Sequence, residues 1–392
     1  MVAEKGGRRP GRRQKTQLTF SENRVGAKEA PFTFAPNETA CADRGMKAVR
    51  YDFTSDNTAA ICPEAWAALE AANAGAAPSY GADAWTARAA DLIRSVFETD
   101  CEVFFVSTGT AANALALAAG GAGGGAILCH ESAHILRHEE RASAFFSGGA
   151  EFLPLTGAAG KCDPAALERA LAAPPSPGSD PRVLSLTQST ELGTVYSAAE
   201  TRDLAATARS HGLRVHMDGA RFAVAAAALA ESGSTPADLA WRAGIDVLSF
   251  GGIKNGLAEA EAVVFFDRSL ARGFSERQIQ AGQRSSKMRF QAAQWIALLE
   301  HGAWLRHARH ANVMARRLGE ALARLPGVEL GAEVQTSAVF VRLPPTMAAA
   351  LRSRGWDVRP PGPAGHRLRC SWASRPEDVD AFAADAAAAS AA

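Results

Sequence analysis

The sequence predicts an α/β fold: a large domain on a mostly parallel seven-stranded sheet, followed by a small α+β domain at the C-terminal end. Three observations carry that prediction. Short apolar runs alternate with helix-length stretches from Val103 to Phe266, the signature of βαβ units. Alanine is abundant, and the six cysteines are scattered without a C-x-x-C pair, which favours helices and free thiols over a disulfide framework. Beyond Phe266 the alternation gives way to long helical stretches and two further short strands. The expected boundaries are 48–285 for the large domain and 286–392 for a linking helix and the small domain.

Composition narrows the function classes. Across 392 residues, 42 Lys+Arg are balanced by 41 Asp+Glu, so no net field points to nucleic acid or a membrane surface. No apolar run approaches the roughly 20 residues of a spanning helix. With unpaired cysteines, the expected compartment is the cytoplasm. Residues 1–47 differ from the rest. Lys5, Arg8, Arg9, Arg12, Arg13 and Lys15 crowd the start, and no apolar stretch follows that would make them a signal peptide. A disordered basic extension is expected, with a DNA-contacting arm as the alternative. Met46 is a second candidate start.

The elements follow in order from Tyr51. Pro63 opens a helix, as proline does in a first turn. Trp85–Phe97 has the apolar spacing of an amphipathic helix. Val103–Val106 is a short strand that runs into Ser107-Thr108-Gly109-Thr110 and a helix over Ala111–Ala119. A strand, a Ser/Thr/Gly turn and a helix start form a ready anion site, because the first N–H groups lack helical partners. The plainer reading of Thr108 or Thr110 is an N-cap. Strands are expected at 127–129, 152–155, 183–187, 213–217, 247–250 and 262–266, with a helix over Ala198–His211 and a surface loop from Pro174 to Pro181. Glu276–Leu318 reads as largely helical. Strands near Val339–Leu343 and Arg367–Trp372, and a helix from Pro376, complete the small domain.

Several motifs are weaker than they look. His130-Glu131-Ser132-Ala133-His134 matches H-E-x-x-H, but a zinc site needs both histidines on one helical face. This motif directly follows a β run, so no resident metal is expected. The glycines at 120–125 follow a helix rather than a strand, the wrong order for a dinucleotide site. His301, His307 and His310 share a helical stretch with Arg306 and Arg309, which predicts a solvated face.

The chain is organised around Leu213–Gly256. One apolar run ends in Asp218-Gly219-Ala220-Arg221, and another opens into Gly251-Gly252-Ile253-Lys254-Asn255-Gly256. An acid and an amine at the ends of two parallel strands meet at the sheet edge where α/β folds place ligands. That pair suits pyridoxal phosphate, which needs a covalent amine and a carboxylate at its ring nitrogen.

At His216-Met217-Asp218-Gly219-Ala220-Arg221-Phe222 and Ser249-Phe250-Gly251-Gly252-Ile253-Lys254-Asn255-Gly256, the sequence resembles the L-threonine aldolase family. These are fold-type I pyridoxal-phosphate enzymes, and the low-specificity, phenylserine aldolase-like branch is the nearest. The resemblance implies retro-aldol cleavage of β-hydroxy-α-amino acids to glycine and an aldehyde, in a homodimer or homotetramer. It implies that Lys254 holds the cofactor covalently, Asp218 pairs with the pyridinium nitrogen, and Thr108, Gly109 and Thr110 hold the phosphate. His134 would stack on the ring, and Arg221 would lie near the cofactor's phenolic oxygen and the substrate carboxylate. Arg367 would clamp that carboxylate with help from Ser55, and Arg277 would reach a neighbouring chain's phosphate. Gln188-Ser189-Thr190-Glu191 stands where much of the family has Glu-Asn-Thr-His, so Glu191 or His134 would be the base. Alternative readings are a β-eliminating lyase or aminotransferase-like enzyme on the same cofactor, or a cofactor-binding regulator with a basic arm.

Overall fold

The computed structural model describes residues 49–121, 123–174 and 180–390. The basic extension and most of the 174–181 loop lie outside them. Helix α1 (Pro63–Ala72) has its proline in the first turn, and α2 (Ala84–Phe97) is capped by Asp83, whose carboxylate accepts the Thr86 N–H at 2.8 Å. Ala89, Ala90, Ile93 and Phe97 form the buried stripe of α2. Strand β1 (Glu102–Val106) leads into α3 (Gly109–Ala119). Then come β2 (Ala126–His130), the short helices α4 (His134–Arg137) and α5 (Ala142–Phe146), and β3 (Glu151–Leu155). The pattern continues through α6 (Pro164–Ala172), β4 (Pro181–Thr187), α7 (Ala198–Ser210), β5 (Arg214–Gly219) and α8 (Phe222–Leu229). Strands β6 (Val247–Phe250) and β7 (Glu261–Phe265) close the series.

These seven strands form one sheet in the order β1-β7-β6-β5-β4-β2-β3. Only β7 runs against the others, pairing antiparallel with both β1 and β6. The C-terminal ends of six strands therefore share one edge with the N-terminal end of β7. β5 and β6 are wholly or nearly wholly buried, as expected of strands covered by helices on both faces.

Three further helices follow: α9 (Phe274–Gln280), α10 (Arg289–Glu300) and α11 (Ala303–Ala323). Strands β8 (Glu329–Leu330), β9 (Ala338–Arg342) and β10 (His366–Arg369) make a second, antiparallel sheet in the order β10-β9-β8. Helices α12 (Pro345–Ser353) and α13 (Pro376–Ser390) pack with it. Its core includes Leu318, Val339, Val341, Leu368 and Phe382. Phe53 belongs to this second core, stacking on Trp356 and meeting Phe382 edge-on. The start of the described chain is thus anchored beside β10, where the Arg369 N–H donates to the Phe53 carbonyl at 2.9 Å.

Of the expected solvated face, His301, Arg306 and Arg309 are exposed, but His307 and His310 are not. His307 keeps only 13% of its side chain exposed, and His310 Nε2 lies 2.6 Å from the Ser374 carbonyl. Helix α11 is covered by α8 on one side and α13 on another, so residues spaced along one turn cannot all face water. No helix among the described residues is long and apolar enough to cross a membrane.

Candidate active site

The site is assembled at the common edge of the large sheet. Asp218, at the end of β5, is 2% exposed. Its Oδ1 accepts the Ala220 N–H at 3.0 Å and its Oδ2 accepts from Asn113 Nδ2 at 3.2 Å. Lys254 sits in a 3-10 turn, Ile253–Asn255, just past β6. The loop before it is tied to β5 by the Gly251 N–H donating to the Gly219 carbonyl at 3.0 Å. A Cβ on Gly251 would fall 2.4 Å from the Ala220 carbonyl oxygen, so this approach requires glycine. Burial disfavours charge on Lys254, and the Arg221 guanidinium adds to that, so its pKa is lowered. A lysine so placed carries more of the neutral, nucleophilic amine.

Two carboxylates steady this loop and the ring of His134. Glu261, at the reversed start of β7, accepts the Gly252 and Ile253 N–H groups at 3.0 and 3.3 Å. Burial pushes its carboxyl up to about 7. Glu139 Oε1 lies 3.0 Å from His134 Nδ1 and accepts from Asn113 Nδ2 at 2.9 Å. The same Asn113 amide therefore bridges Glu139 and Asp218. The bond to Glu139 raises the pKa of His134, while burial raises that of Glu139.

The plainer expectation for this turn, a threonine N-cap, is what the structure has. Thr108 caps α3, its hydroxyl accepting the Ala111 N–H at 3.1 Å. Gly109 and Thr110 occupy the first two helical positions, where the helix itself does not use the N–H groups. Thr108, Gly109, Thr110, His134, Asp218 and Lys254 line one cavity of about 160 Å³, with Asn57, Asn113, Glu139 and Glu261 in its wall.

Arg221 is the N-cap residue of α8 and is held by Asp56 in a two-point ion pair, Nε to Oδ2 at 2.6 Å and Nη2 to Oδ1 at 3.0 Å. Both side chains are almost fully buried. Glu191 Oε1 lies 3.9 Å from Arg221 Nη1. Ser55 donates to Asp56 at 3.4 Å and accepts the Asn57 N–H. Arg367 and Glu191 stand together in the wall of a wider cavity of about 800 Å³, with Leu192, Phe340, Pro360 and Pro363. Arg277 lies on α9 and is not among the residues lining the 160 Å³ cavity.

Sequence reasoning missed five members: Asp56, Asn113, Glu139, Glu261 and Arg369. Arg369 is fully buried on β10, two residues from Arg367 and therefore on the same face. Its Nη2 donates to the Glu191 carbonyl at 3.3 Å, while Nε and Nη1 have no protein partner. Burial and the neighbouring Arg221 bring its pKa down to about 9. The period-two spacing of the two arginines was the available signal. H-E-x-x-H, by contrast, does not form one helical face. His130 ends β2 with Nε2 3.1 Å from the Gly157 carbonyl, and His134 begins α4.

Comparison with known proteins gives the family. Residues 52–344 match the beta-eliminating lyase family. The low-specificity L-threonine aldolases of Pseudomonas sp. (strain NCIMB 10558) and of Pseudomonas aeruginosa are each 49% identical over 335 residues, spanning 85% of this chain and 96% of theirs. The solved threonine aldolase of Leishmania major superposes with a TM-score of 0.78 at 26% identity, over 86% of this chain and 98% of that one. The chain therefore belongs to the beta-eliminating lyase family, within its L-threonine aldolase branch.

Proposed function

We propose that this chain uses pyridoxal phosphate to split L-threonine, allo-threonine or phenylserine into glycine and an aldehyde. The observation that carries the proposal is the convergence of a buried amine, a buried carboxylate and a capped helix start on one small cavity. The buried Asn113 Oδ1 and Glu139 Oε2 have no protein partner, so that cavity has polar capacity to spare. The donor set fits the cofactor: an amine to bond its aldehyde, an acid for its ring nitrogen and N–H groups for its phosphate. When bound, pyridoxal phosphate supplies a C=N linkage to the substrate and an electron-poor ring that draws electrons from the bonds at Cα.

The chain's own residues do the rest. Asp218, oriented by Ala220 and Asn113, would pair with the ring nitrogen and keep its proton in place. Arg367 would bind the substrate carboxylate, for which a planar guanidinium is suited, and so would fix the substrate's orientation at the amine. Arg221, fixed by Asp56, holds its charge near the Lys254 amine and would face the cofactor's phenolic oxygen. His134 is positioned by Glu139 through Nδ1, leaving Nε2 to take the β-hydroxyl proton directly or through one water. Glu191 borders the same region from the wider cavity. The mixed apolar and polar wall of that cavity has room for β-substituents larger than methyl, which supports broad specificity.

We further propose that the enzyme works in the cytoplasm as a homodimer or homotetramer, with Arg277 reaching a neighbouring chain. The five cysteines among the described residues are unpaired. Product analysis tests the reaction. Equimolar glycine and acetaldehyde from threonine are expected, whereas a keto acid without glycine would favour β-elimination or transamination.

A further inference from the structure

We propose that Cys62, Glu64 and His307 form a binding site for a single divalent zinc-like cation, outside the cofactor cavity and independent of the reaction assigned above. The thiol, one carboxylate oxygen and one ring nitrogen all lie within 4.8 Å of one another. They come from two elements that the fold forces together. Cys62 caps α1, Glu64 lies in its first turn, and His307 projects from α11. Sulfur, nitrogen and oxygen donors in this ratio suit zinc or cobalt(II), with a fourth position for water.

The geometry goes beyond mere proximity. Glu64 Oε1 and His307 Nε2 stand 3.3 Å apart, close to the edge of a tetrahedron with bonds of about 2.0–2.1 Å. The Cys62 thiol is the third donor, within 4.8 Å of both. Glu64 Oε2 and His307 Nδ1 are both buried without a protein partner. So is Nε1 of Trp372, whose ring packs on His307 with centroids 5.6 Å apart. Unpartnered buried polar atoms on two of the three residues are uncommon in a folded interior and leave the cluster with bonding capacity to spare. Arg306 Nη2 lies 3.3 Å from Glu64 Oε1 but is largely exposed, so it can swing into solvent as a cation enters.

Charge balances. Cys62 gives its thiol proton to solvent and becomes a thiolate, which with the Glu64 carboxylate neutralises a dication. The cation would also brace the lysine loop, because the Cys62 N–H donates to the Gly256 carbonyl at 2.8 Å, two residues after Lys254. This site uses neither histidine of the H-E-x-x-H string.

The test uses the holoenzyme stripped with chelator and dialysed against micromolar zinc. Metal analysis of wild type should return one zinc per chain. Cys62→Ser and His307→Ala should each weaken binding by roughly 10-fold or more, and cobalt(II) should give visible ligand-field bands in wild type that vanish in Cys62→Ser. Zinc should also raise the wild-type melting temperature, a readout that needs no variant. A wild-type chain that takes up no zinc and shows no shift overturns the proposal. So does uptake undiminished in folded Cys62→Ser and Glu64→Gln proteins.

Discussion

Arg221 and Asp56 are 165 residues apart in the chain, yet they form a two-point ion pair that is almost wholly enclosed, with contacts of 2.6 and 3.0 Å. The pair joins the N-terminal segment, which packs on the second core, to the edge of the large sheet. The Arg221 guanidinium, with Arg369 beyond it, holds the Asp56 carboxyl well below the usual carboxylate range despite burial, which acts in the opposite sense.

Asp56→Asn should therefore destabilise the fold by about 3–5 kcal/mol at neutral pH, since it leaves a buried guanidinium unpaired. Because the folded pKa of Asp56 is depressed, its contribution is complete above the ordinary carboxylate pKa of about 4 and is lost as pH falls through the folded value. Denaturant melts at pH 7 and in acid check both statements. The gap between variant and wild type should narrow in acid.

The link from His134 to Glu139 sets a pH dependence. Activity that needs neutral His134 rises as pH climbs through its raised pKa. Glu139→Gln keeps an acceptor for Asn113 but removes the charge, so the acid limb of kcat/KM should move down. An unmoved limb in Glu139→Gln, with a moved one in Glu191→Gln, would transfer the base role to Glu191.

Arg367 and Arg369 share a strand face but should behave differently. Arg367 lines the wide cavity, whereas Arg369 is sealed. Arg367→Ala should raise KM for threonine about 30-fold, the equivalent of about 2 kcal/mol. Arg367→Lys should recover only part of that, because an ammonium cannot bind a carboxylate at two points. Steady-state kinetics separate these outcomes.

Gly251 tests the approach of the lysine loop to β5. Gly251→Ala places a methyl 2.4 Å from the backbone of Ala220, which cannot yield as a flexible side chain does. A loss of about 2–3 kcal/mol is expected, with weakened cofactor retention measured by absorbance after gel filtration.

Much of this was legible in the sequence, and the reasons differ by element. The strands ending near Asp218 and leading to Lys254 are largely buried and bounded by glycine turns, so their ends could be located to within a residue or two. Thr108 was legible because a strand, a cap and an alanine-rich helix adjoin in sequence. Asp56 and Glu139 were not, because their roles come from partners that only the fold supplies. Glu261 needed the knowledge that β7 runs backward, which brings its first residue rather than its last to the site. His307 and His310 were misplaced because helical spacing alone does not tell that α11 is covered on two sides.

The central claim is that Lys254 is the amine that carries the cofactor. Borohydride reduction of the holoenzyme, followed by digestion and mass mapping, measures it directly. A phosphopyridoxyl group on the peptide containing Lys254, and loss of glycine production in Lys254→Ala, are the predicted results. The same group on another lysine, or a Lys254→Ala protein that cleaves threonine at the wild-type rate, would contradict the account.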